Sequence, residues 1–105
     1  MIPDLLLTLA ITLVVELAVV WLSTPRALRR AAAPTCLFAN LTTQPLAWYA
    51  VFLTPHLTVF LLVELAVILA ELLAYRRAAG LPWRLALVLA VRANAVTIAL
   101  SLLWS

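Results

Sequence analysis

The residues able to do chemistry in this chain sit where chemistry is costly. Glu16, Asn40, Thr43, Glu64, Glu71, Arg92 and Asn94 all fall inside long apolar runs. A carboxylate near the centre of a bilayer costs about 2.5–3.5 kcal/mol on insertion scales, while an interhelical polar hydrogen bond returns about 0.6 kcal/mol on average. Helix adhesion therefore does not repay charged carboxylates at these positions. The set suits binding of a proton or a cation. Glu16 and Glu64 would supply carboxylates, Asn40 and Asn94 amide ligands, with Thr43 beside Asn40. Carboxyl groups removed from water can exchange protons near neutral pH. Arg92 is the possible ion-pair partner.

Spacing limits what these groups can hold. Glu64 and Glu71 are seven residues apart on one helical face, about 10 Å along the axis. They cannot share one metal ion unless a third helix contributes. A Mg- or Ca-type site of Glu64, Asn94 and Glu16 gains no support from spacing, so any metal stays unassigned. The chain has no HExxH, GxSxG, phosphate-loop or CxxC pattern, and no cofactor is implied. An intramembrane enzyme would rest on Glu and Asn alone and is the poorest reading. The lone Cys36 excludes an intramolecular disulfide and a cysteine zinc cluster, and reads as a small buried hydrophobe. His56, the single histidine, reads as a turn residue. Asn40-Leu41-Thr42 matches a glycosylation sequon, but the reading below puts it at a cytoplasmic helix start.

The elements that must position these groups follow from composition. Of 105 residues, 68% are hydrophobic and 10% charged, with mean hydropathy +1.20. A globule this small cannot bury that excess, so the solvent is expected to be lipid. All seven basic residues are arginines and the net charge is +3. They cluster at helix ends and leave no basic surface for nucleic acid. The chain reads as one domain, 1–105, an all-α integral membrane four-helix bundle with spans at about 5–22, 35–54, 57–75 and 85–104. Asp4, the lack of a basic n-region and the arginines after the first run mark a retained helix rather than a signal peptide. Thr8, Thr12 and Glu16 form a polar stripe on span one. Pro45 should kink or break span two and free carbonyls near Leu41 and Thr42. Cys36, Asn40, Thr43, Ala47, Ala50 and Thr54 line one face of span two. Ala86, Ala90, Asn94, Thr97 and Ser101 line one face of span four.

Arg26, Arg29 and Arg30 follow span one, and Arg76, Arg77 and Arg84 follow span three. The turn at Thr54-Pro55-His56 carries none. The positive-inside rule puts the two arginine loops in the cytoplasm and both termini outside, in a prokaryotic inner membrane, with Trp21, Trp83 and Trp104 near the interfaces. By depth, Glu64 matches Asn94, while Glu71 lies within about a turn of the cytoplasmic edge and would pair with Arg76 or Arg77. Glu64 is thus the leading site residue, with Glu16 second.

The halves echo one another. Val15-Glu16-Leu17-Ala18-Val19-Val20 returns as Val63-Glu64-Leu65-Ala66-Val67-Ile68, and Ala39-Asn40 with Thr43 returns as Ala93-Asn94 with Thr97. Two helical hairpins in a parallel internal repeat would explain this. The layout resembles the small multidrug resistance transporters in length, in four spans and in a first-span glutamate, here Glu16. It departs from them in having a single glycine, outside the spans, and in Glu64 and Glu71. The pattern Glu16…Asn40-Leu41-x-Thr43-x-Pro45…Glu64…Glu71-x3-Tyr75…Asn94 is similar to small uncharacterised prokaryotic four-span proteins, a resemblance that implies no activity. Two functions remain open: an oligomeric proton- or cation-coupled transporter or channel, or a non-catalytic accessory or assembly subunit of a larger membrane complex. The expected partners are the bilayer and either further copies of the chain or that complex.

Overall fold

In the computed structural model the backbone is described for residues 2–54 and 56–104, and side chains for 6–54 and 56–99. Four helices occur in sequence: α1 (Ile2–Ser23), α2 (Arg29–Leu53), α3 (Leu57–Arg77) and α4 (Trp83–Trp104), with one 3-10 turn at Arg26–Leu28 before α2. Leu, Ala and Val dominate each run, and no glycine interrupts one. Asp4, Ser101 and the Trp104 ring lie outside the described side chains.

α1 packs on α2 and α4, and α3 packs on α2 and α4. The helices thus form an up-down-up-down square, with α1 diagonal to α3 and α2 diagonal to α4. The molecule measures 39 × 25 × 21 Å. Among the described residues, two helices are long and apolar enough to cross a membrane, at Leu6–Ser23 and Leu57–Arg77. α2 is diluted by Asn40, Thr42, Thr43, Gln44 and Pro45, and α4 carries Arg84 and Arg92.

The first connection is shorter than the sequence suggests. α2 starts at Arg29, not Thr35, and takes in Pro34 and Pro45 without a break. Of the kink or break expected at Pro45, the break does not occur. A proline removes one backbone donor, but the ladder on either side holds the helix, and Thr42 and Thr43 add bonds to the Phe38 and Ala39 carbonyls (both 2.9 Å). α1 ends because Pro25 disfavours helix at Thr24. Its last carbonyls are then taken by side chains. The Thr24 hydroxyl donates to Val20 O, and Arg29 Nε to Trp21 O (2.8 Å) and Thr24 O (3.1 Å). A guanidinium also suits the negative end of the helix dipole. Arg29 lies over the Trp21 ring (5.1 Å), and Arg76 over Trp83 (5.3 Å) at the second arginine loop. In that loop Gly80 takes φ 67°, which turns the chain so that the Leu81 N–H reaches Tyr75 O (3.1 Å) and the Leu81 side chain is buried.

The core is divided along the bundle axis. At the arginine-loop end Val20, Ala32, Cys36, Tyr75, Leu81, Ala86, Leu89 and Ala93 form an apolar cluster. Deeper in the bundle polar side chains join apolar ones in the core: Glu16, Asn40, Glu71 and Asn94 are buried alongside Ala39, Ala47, Val67 and Ala90. Thr12 and Gln44 continue that layer. The outside is the reverse, with Val14, Phe38, Leu41, Leu46, Phe52, Leu61, Leu65 and Leu69 all exposed.

Candidate functional site

Cβ atoms lean toward the N-terminus of their helix. In an antiparallel pair, side chains therefore lean toward each other along the axis. Glu71 lies six residues before the end of α3, and Asn94 eleven after the start of α4, an axial gap of about 7 Å between backbones. The lean closes that gap. Asn94 Nδ2 donates to Glu71 Oε2 at 3.0 Å and, with its other hydrogen, to Ala90 O at 2.7 Å. One turn along α4, Thr97 Oγ1 meets Glu16 Oε1 at 2.9 Å and Ala93 O at 3.0 Å. One face of α4 thus holds a glutamate from α1 and another from α3. Glu16 and Glu71 are both fully buried.

Two expectations are corrected here. Glu71 is not a boundary charge on Arg76 or Arg77: Arg76 donates to Leu81 O (3.2 Å) and Arg77 is exposed. Nor is Glu64 the partner of Asn94. It is half-buried and outside the Asn94 bond. Counting depth at the Cα atoms, without the side-chain lean, produced both errors.

The other anticipated residues divide. Asn40 is buried but bonds within its own helix, donating to Cys36 O (2.8 Å) and lying 3.5 Å from Cys36 Sγ, while Gln44 Nε2 donates to its Oδ1 (3.4 Å). Thr43 is half-buried and spends its hydroxyl on Ala39 O. Arg92 is exposed, and its guanidinium reaches back along α4 to donate to Ser23 Oγ (3.4 Å), rather than to a carboxylate. Its long aliphatic stem carries the charge toward the end of α1. Neither family model, curated protein nor solved structure matches the chain. The site must be read from its own chemistry.

Thr97 and Tyr75 belong to this centre and were missed as site residues. Their signal was present: Thr97 is three residues past Asn94 and Tyr75 four past Glu71, each on the same face as its neighbour. Tyr75 is fully buried, with its hydroxyl beside the Cys36 thiol. All seven arginines are described and none is buried. Among the described residues the two buried carboxyls therefore have no buried protein cation beside them. Among the described residues no group of three or more His, Cys, Asp or Glu is placed to hold a metal.

The hydrogen count at Thr97 bears on protonation. A threonine hydroxyl has one hydrogen, and a backbone carbonyl can only accept. If Thr97 donates to Ala93 O, the contact with Glu16 is completed by a proton on the Glu16 carboxyl. If it donates to Glu16 instead, the carboxylate form is served. The site can thus accommodate either state with one hydroxyl rotation.

Proposed function

We propose that the chain is a small membrane protein of four spans that moves protons or cations through a site centred on Glu16 and Glu71. The observation that carries this reading is the inverted packing around that site: two carboxyls fully buried beside Asn94, in a bundle whose outside is leucine, valine and phenylalanine. A structural hydrogen bond needs one such carboxyl at most. A pair without an internal cation suits exchange with the medium. Asn94 and Thr97 hold the two carboxyls, and Glu64 is the half-buried relay toward the other end of the bundle. In this reading the arginine loops face the cytoplasm of a prokaryotic cell, both termini face outward, and the two hairpins descend from a duplicated unit.

Proteoliposomes test it. A pH gradient should drive flux through wild-type protein, and Glu16→Gln or Glu71→Gln should reduce it by at least about 10²-fold while the helical content is kept. Flux that persists in both variants removes the reading. One observation favours a second role, as a subunit of a larger complex: the exposed Arg92, nine residues into α4, holds only a weak 3.4 Å bond to Ser23. Stoichiometric co-purification with another membrane protein, lost in Arg92→Leu, together with absent flux, would favour that role.

A further inference from the structure

Arg92 stands in the middle of an apolar run, whereas the other arginines lie in the loops or at helix ends. Arg29 and Arg76 are spent on backbone carbonyls and indole rings. Arg92 is exposed, and among the described residues its guanidinium meets one partner, Ser23 Oγ at 3.4 Å. That exceeds the usual range of about 2.7–3.2 Å, and a guanidinium has further N–H donors to place. The Ser23 hydroxyl accepts this bond, and its own hydrogen has no acceptor among the described residues.

Two unspent donor groups thus lie together at the seam where α1 packs on α4. Ser23 is the last residue of α1, three before Arg26, so the pair sits toward the arginine-loop end. The outer surface beside it is apolar: Leu22 is 79% exposed and Val91 44%. A charge on a lipid-facing surface is costly unless it is paired. Its partner must bring an oxyanion for two adjacent donors and apolar material for Leu22 and Val91. A phospholipid brings both. Its phosphate matches the guanidinium fork, and its acyl chains cover the apolar neighbours. Charge then selects the kind of lipid. A zwitterionic headgroup sets its own ammonium against its phosphate, while an anionic one leaves a net charge for Arg92 to neutralise. A free phosphate offers nothing to Leu22 and Val91.

We propose that the Arg92 guanidinium and the Ser23 hydroxyl hold the phosphate of one anionic phospholipid at the α1–α4 seam. The inference rests on the membrane setting above and is independent of transport.

The test titrates the full chain in detergent with phosphatidylglycerol or phosphatidylcholine and counts bound lipids by native mass spectrometry. The first phosphatidylglycerol should bind about fivefold more tightly than phosphatidylcholine, and Arg92→Leu should abolish that preference. Ser23→Ala, which keeps the charge, should weaken phosphatidylglycerol binding about threefold. Arg77→Leu, on α3 across the bundle from α1, should leave it unchanged. The inference is overturned if wild type shows no preference, if Arg92→Leu keeps it, or if Arg77→Leu loses as much as Arg92→Leu. Inorganic phosphate that binds wild type but not Arg92→Leu in equilibrium dialysis, without a lipid preference, would make the occupant a free anion and overturn it. A membrane protein that co-purifies with wild type but not with Arg92→Leu, again without a lipid preference, would give the position to a protein. A chain that stays dissolved without detergent or lipid would sink the membrane setting and the inference together. A detergent-dependent chain without the preference would sink the lipid site alone.

Discussion

Asn40 and Asn94 sit in the same local sequence and do different work. Each donates to the carbonyl four residues before it, but only Asn94 also reaches another helix, through Glu71. Asn94→Leu should therefore lower stability by about 1–2 kcal/mol, the upper range for interhelical polar bonds, whereas Asn40→Leu should cost on the order of 0.5 kcal/mol. Thermal unfolding in detergent, followed by circular dichroism, measures both. Equal losses would contradict the assignment of Asn94 as the tie between helices. At this scale the sequence was partly legible. Residues of the polar core could be named because buried carboxyls and amides stand out in apolar runs. Their pairing could not, because it depends on which way each Cβ leans and not on depth alone.

The elements were easier to read than their ends. Four helices follow from four apolar runs separated by Pro, Gly and arginine clusters. The start of α2 was hidden because Pro34 argues against helix, while the structure carries the helix through both Pro34 and Pro45. If Pro45 is merely tolerated, Pro45→Ala restores a donor to the Leu41 carbonyl. It should raise the unfolding temperature by the equivalent of about 1–3 kcal/mol and leave flux unchanged. A loss of flux would show that the freed carbonyl serves transport. Gly80 makes the opposite prediction. A Cβ there meets nothing within 4 Å, so only its φ of 67° opposes substitution. Gly80→Ala should cost about 1 kcal/mol in the same unfolding experiment. A neutral result would mean that the loop turns in another way.

For the whole molecule, composition was the strongest guide. It called for lipid on the outside, and the exposed leucines and buried glutamates give the proposed membrane setting its physical basis. Orientation rests on the arginine loops alone. Cysteines introduced at Ala27 and Ala79 in place of Cys36 should resist a membrane-impermeant reagent in intact cells, and one at His56 should react; the reverse pattern would invert the topology. The centre of the account is that Glu71, not Glu64, is the exchanging carboxyl. Flux measured side by side in proteoliposomes of Glu71→Gln and Glu64→Gln tests this most directly. The account predicts that Glu71→Gln abolishes flux and Glu64→Gln only slows it, by about tenfold or less. Full flux in Glu71→Gln beside none in Glu64→Gln would contradict it.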